Sequence, residues 1–90
     1  LLYQEGTPEM GNARRKPKRL AEKLLAIRER LDVSQTEMAR LLELEQTYTV
    51  VSSYESGRRE PDLIVLLRYA RLARVPMEKL VDDELDLPRK

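Results

Sequence analysis

Cysteine and histidine are absent from the 90 residues. That removes thiol nucleophiles, disulfides, redox motifs, imidazole bases and nearly all zinc-site chemistry together. Glycine is scarce: Gly6 and Gly11 lie near the amino terminus, leaving Gly57 as the only glycine in the region of regular apolar spacing. No glycine-rich phosphate loop can be drawn from it. The longest apolar run, 63–67, is far short of the ~20 residues that span a bilayer. The amino terminus lacks the basic start and apolar block of a secretory signal. No nucleophile has a candidate base beside it, and paired carboxylates occur only toward the carboxyl end. There the acids alternate without an oxygen-rich, glycine-containing loop, which predicts solvation rather than a metal site. These gaps predict a cytoplasmic protein that is not an enzyme, holds no metal or cofactor and does not enter a membrane.

What is present is ordinary for one small globular domain: 37% charged and 41% hydrophobic residues. Folding at this size hides only ~60–65% of the unfolded surface, so the core has to be compact and largely helical. The 17 Lys and Arg against 16 Asp and Glu give a net charge of +1, a neutrality that argues against indiscriminate coating of nucleic acid. The placement is uneven, however. Arg14, Arg15, Lys16, Lys18 and Arg19 crowd together without an acid, whereas Glu78, Asp82, Asp83, Glu84 and Asp86 outnumber Lys79. The predicted organisation is a disordered arm over 1–18, basic toward its end, a folded domain over 19–81, and an acidic, solvated tail over 82–90. Met10 is read as the start of translation, with residues 1–9 upstream of it.

The spacing from Arg19 onward is helical. Leu20, Leu24, Ile27 and Leu31 share one face, with Pro17 assigned to the first turn. Asp32 and Val33 break the pattern, and Ser34-Gln35-Thr36-Glu37 is a capping box. The second helix is expected to turn Met38, Leu41 and Leu42 inward, with Ala39 permitting close approach. The β-branched segment that follows reads as a third helix over 47–56, because Thr47 can cap it and Gly57 can terminate it in the left-handed conformation. On that reading Val50, Val51 and Tyr54 face inward, while Tyr48, Thr49, Ser52, Ser53 and Ser56 face outward. Asp62 caps a fourth helix whose buried stripe is predicted as Leu63, Leu66, Leu67, Ala70 and Ala73. Val75 and Pro76 end it, and a short fifth helix from about Met77 contributes Leu80 and Val81.

Five short helices with a turn between the second and third describe a helix-turn-helix domain. Ile27-Arg28-Glu29-Arg30-Leu31, Ser34-Gln35-Thr36-Glu37-Met38-Ala39, Tyr54-Glu55-Ser56-Gly57-Arg58-Arg59-Glu60-Pro61 and Leu66-Leu67-Arg68-Tyr69-Ala70 resemble, over residues 20–81, the phage-repressor and Cro-type (Xre-like) helix-turn-helix family. The resemblance implies an all-α, compact five-helix bundle of the lambda-repressor-like type. It also implies a repressor-like transcriptional regulator that binds double-stranded DNA selectively, with the third helix in the major groove. Carried over by position, Tyr48, Thr49, Ser52 and Ser53 face base edges, and Gln35, Thr36, Arg58 and Arg59 face the backbone. The basic arm, through Arg14, Arg15, Lys16 and Lys18, is expected to track phosphates or enter the minor groove. The family pairing of a first-helix Arg with the Glu near the end of the third helix implies an Arg28–Glu55 pair.

Two departures stand out. Glu43 occupies the place where the family usually has glycine, and the stretch before Val51 is two residues longer than typical, the extra residues being placed at Glu45 and Gln46. The outward face of the third helix also has no Arg, Lys, Asn or Gln, the residues that make bidentate base contacts worth ~1–3 kcal/mol of discrimination. Base readout is therefore expected to be modest, shape-dependent or supplemented by Gln46. That weakness, with Glu43 and Glu45 beside the third helix, supports an alternative reading as a protein-interaction module such as the antitoxin of a toxin–antitoxin pair. A homodimer on two half-sites and a partner protein are the interactions expected besides DNA.

Overall fold

The structure is a computed structural model describing residues 16–45 and 48–88; Arg14, Arg15, Gln46 and Thr47 lie outside the described residues. Among the described residues there are five helices and no strand: α1 (Leu20–Leu31), α2 (Gln35–Leu41), α3 (Tyr48–Glu55), α4 (Leu63–Ala73) and α5 (Glu78–Val81). The all-α expectation holds. Leu20, Leu24 and Ile27 from α1 meet Met38, Ala39, Leu42, Val50, Val51 and Tyr54 from the α2–α3 pair, with Val65, Leu66, Tyr69 and Ala70 of α4 and Leu80 of α5 completing one core.

Local chemistry sets most of the boundaries. The Ser34 hydroxyl accepts from the Glu37 amide at 3.0 Å, and an Asp62 carboxylate oxygen accepts from the Val65 amide at 2.9 Å, so each satisfies a donor that a helix start otherwise leaves orphaned. The second half of the expected capping box gives way to another contact, since the Glu37 carboxylate accepts from Arg40. Gly57 has φ +81 and ends α3 as expected. Among the described residues, three non-glycine residues share that left-handed region: Asp32 after α1, Arg74 after α4, and Glu43 after α2 with φ 59. Glu43 thus takes the backbone conformation that the family's glycine supplies, with a side chain in place.

Several expectations are corrected. Helix α1 begins at Leu20, so Pro17 precedes it rather than occupying its first turn. Leu41 and Val81 are exposed, whereas Leu42 and Leu80 are buried. The buried stripe of α4 is Val65, Leu66, Tyr69 and Ala70, while Leu63 at 72% and Ile64 at 57% exposure face outward. A run of five apolar residues carries no helical phase of its own; Tyr69, fully buried, sets it. Helix α4 ends at Ala73 with Arg74 left-handed, before Val75 and Pro76.

The carboxyl segment is the largest correction. Its described part, 82–88, is not a free solvated tail but folds back along α1. Asp83 accepts from the backbone amides of Lys18 at 2.8 Å and Arg19 at 3.0 Å. Arg19 donates to the Asp83 carbonyl at 2.9 Å and to the Asp86 carboxylate at 2.7 Å. Leu87 packs on the core, and Arg30 donates to the Pro88 carbonyl. Beneath these contacts Lys23, only 2% exposed, donates to the carbonyls of Lys79 at 2.8 Å and Asp82 at 2.9 Å. A cation at the end of α5 satisfies carbonyls that have no intrahelical partner and favours the dipole there.

Candidate nucleic-acid interface

Helix α3 separates its two faces as its sequence requires. Val50, Val51 and Tyr54 are buried, and burial pushes the Tyr54 phenol pKa up. Tyr48 and Thr49 are exposed, and Ser52 and Ser53 are half-buried. The Ser53 hydroxyl donates to the Val50 carbonyl at 2.7 Å, and the Ser56 hydroxyl donates to the Ser53 carbonyl at 3.2 Å. The Ser53 hydroxyl is thus satisfied within the helix, and its oxygen keeps lone pairs for a ligand.

Left-handed Gly57 redirects the chain so that the amides of Arg58 and Arg59 both reach the Ser53 carbonyl, at 3.0 and 3.2 Å. The two arginines are thereby folded back beside the helix they follow. Thr49, Ser53, Arg58 and Arg59 line one shallow, open concavity of about 420 Å³. Hydroxyls of the third helix and guanidinium groups of the next loop therefore share a surface, an arrangement suited to a polyanion with hydrogen-bonding edges.

The orientation of α3 is fixed from behind by charge. Arg28 donates from Nε to Glu55 Oε2 at 2.6 Å and from a terminal nitrogen to Glu55 Oε1 at 3.2 Å, and also reaches the Val33 carbonyl at 2.9 Å. The Gln35 amide donates to Glu55 Oε1 at 3.0 Å. One carboxylate thus ties α1, the start of α2 and the end of α3 together. The Arg28–Glu55 pair matches expectation; the Gln35 link does not follow from it. Part of the Gln35 side chain, expected to face the backbone of DNA, is directed at Glu55 instead. The two residues are 20 apart in sequence, so no local signal marks that link. Thr36 is exposed, but neither it nor Gln35 lines the concavity with Arg58 and Arg59.

Glu43, an argument against a polyanion ligand, lies 3.7 Å from Arg68, which also donates to the Leu42 carbonyl at 2.9 Å. On the other side of Arg58 and Arg59, exposed Lys16 and Lys18 line a groove of about 160 Å³ with them. No group of three or more acidic side chains able to hold a metal ion occurs among the described residues, and no helix there is long and apolar enough to cross a membrane.

The helix-turn-helix family profile matches residues 24–80, well over half of the chain. The chain belongs to the phage-repressor-type (Xre-like) helix-turn-helix family. That family is one of DNA-binding regulators rather than of enzymes. The fold is similar to that of the P22 c2 repressor protein, solved in complex with synthetic operator 9T in the presence of Tl+. The TM-score is 0.63 at 19% identity, covering 71% of this chain and 94% of that one. No curated protein shows a significant sequence match. Within this helix-turn-helix fold, α2 and α3 are the paired helices and the concavity lies on the outer side of the second of them.

Proposed function

We propose that the protein is a sequence-selective, duplex-DNA-binding transcriptional regulator, repressor-like in acting by occupying an operator, with α3 lying in the major groove. The observation that carries this reading is the concavity shared by Thr49, Ser53, Arg58 and Arg59. An α-helix fits the major groove, and two arginines at the margin of that helix suit the phosphates that border it. Tyr48, Thr49, Ser52 and Ser53 are the base-facing set; Arg58 and Arg59, with Thr36 and the remaining polar atoms of Gln35, are the backbone set. The Thr49, Ser52 and Ser53 hydroxyls can each donate to or accept from a base edge. No catalytic step is assigned.

Selection of bound duplexes from a random pool tests the proposal. The expected result is an enriched sequence whose affinity falls steeply with salt. Replacing Arg58 and Arg59 with Ala weakens all duplexes alike, whereas replacing Thr49 or Ser53 changes which sequence is preferred. A pool that yields no enrichment, with no binding at low salt, overturns the reading.

A homodimer on two half-sites ~34 Å apart is favoured by Leu63 and Ile64, which stand exposed directly after the Arg58–Pro61 loop. A patch of two side chains is far smaller than the ~1,600 Å² of a stable interface. The pairing is therefore expected on DNA and not in free solution, and sedimentation with and without operator distinguishes the two.

A further inference from the structure

The acidic segment after α5 has no part in the reading just given, yet its contacts converge on the point where the basic arm joins the domain. The bonds from Lys18 and Arg19 to Asp83, and from Arg19 to Asp86, grip two consecutive backbone amides and one guanidinium. Asp82 and Lys79 are held from below by buried Lys23, so the gripping segment is itself anchored. The start of α1, just after the gripped residues, lies against the end of α3: a Cβ on Gly57 would stand 3.8 Å from that of Ala21, the second residue of α1. As a result Lys16 and Lys18 line the same groove as Arg58 and Arg59, with Glu60 the one carboxylate among its lining residues.

We propose that Asp83 and Asp86 are positioning residues for DNA binding. By holding the backbone at Lys18 and Arg19, they keep Lys16 and Lys18 beside Arg58 and Arg59. The four cations then form one phosphate-binding groove flanking the major-groove contact. The inference rests on the DNA-binding reading and adds to it a second stretch of backbone outside the bases read by α3. It also runs against simple electrostatics. Asp83 and Asp86 are acids close to a polyanion site, so on charge alone their removal should tighten binding. Positioning requires that removal to weaken it.

The test uses the full chain and the selected duplex, either trimmed to the core or extended by about one helical turn on each side, titrated by fluorescence anisotropy between about 0.05 and 0.2 M salt. For the extended duplex, Asp83→Ala and the K16A/K18A double variant are each expected to bind about tenfold more weakly. Each should also give a plot of log affinity against log salt that is shallower by about 2. On the trimmed duplex both bind as the unmodified protein does, and combining all three substitutions adds no further loss. A merely structural role for Asp83 lowers affinity for both duplexes equally, and a mere charge effect raises it; either result overturns the proposal. If Asp83→Ala does not fold, K16A/K18A decides, and an unchanged preference for the extended duplex overturns the proposal. Unmodified protein that binds neither duplex overturns the DNA-binding reading itself, whereas unmodified protein that binds both equally overturns only this inference.

Discussion

The two ends of α1 are both tied down by arginine and carboxylates, and they are tied differently. At its carboxyl half, Arg28 meets Glu55 with side-chain exposures of 18% and 6%, and the pair has Gln35 and the Val33 carbonyl around it. At its amino end, Arg19 meets Asp86 with exposures of 35% and 79%. The first network is shielded from water and orients α3; the second is open and closes the chain back on itself. Similar groups at similar distances therefore carry very different weight, because exposed pairs are screened by solvent and cost side-chain entropy, while removing one partner of a shielded pair strands the other.

The largest effect is expected from Glu55→Ala, which strands Arg28 and releases Gln35. Urea unfolding should show a loss of about 3 kcal/mol, and DNA affinity should fall with it because α3 loses its backing. Next is Lys23→Met, which fills the same space but leaves the Lys79 and Asp82 carbonyls without their donor, at a cost of about 2 kcal/mol in the same assay. Should Lys23→Met prove neutral, the amino end of α1 is held only by its exposed pairs, and the contrast between the two ends sharpens. Glu43→Gly works in the opposite direction. Relieving a left-handed non-glycine residue in the α2–α3 turn is expected to stabilise by about 1 kcal/mol, measured as a raised urea midpoint at unchanged slope.

Asp86→Ala should have the smallest effect, and its pH dependence identifies it. The Arg19 guanidinium holds the Asp86 carboxyl below the ordinary carboxylate range, and the Lys18 and Arg19 amides do the same to Asp83. A carboxyl whose folded value is depressed contributes fully above its unfolded value of about 3.9, and that contribution is lost as pH falls through the folded one. The variant should therefore melt slightly below the parent at neutral pH, and the gap should close on acidification below that value. A gap that persists in acid removes the ion pair as its cause.

Much of the shielded region could be read from residue order. Val50, Val51 and Tyr54 share a helical face, Gly57 supplies the left-handed stop, and Ser34 and Asp62 cap the helices that follow them. These are local rules that act within four residues. The open region was hidden because its partners are 64 to 67 residues apart in sequence, and acidic composition reads the same whether the acids are solvated or capping a distant helix. Lys23 lies between the two cases. It falls on the α1 face defined by Leu20, Leu24 and Ile27, and a lysine on an apolar face signals a specific partner, although not which one. The phase of α4 was lost because 63–67 is apolar on every side. At the candidate interface, Thr49, Ser53, Arg58 and Arg59 were legible individually from the family resemblance. That they share one concavity depends on the Gly57 turn folding the loop back onto α3, which is a matter of tertiary geometry.

The central claim is that the outer side of α3 and the loop after it meet duplex DNA, and amide chemical-shift mapping on titration with the selected duplex tests it most directly. The account predicts the largest shifts at Tyr48, Thr49, Ser52, Ser53, Arg58 and Arg59, with Leu72, Val75 and Leu87, which line a separate pocket, unmoved. Shifts concentrated at Leu72, Val75 and Leu87 while α3 stays silent would contradict it.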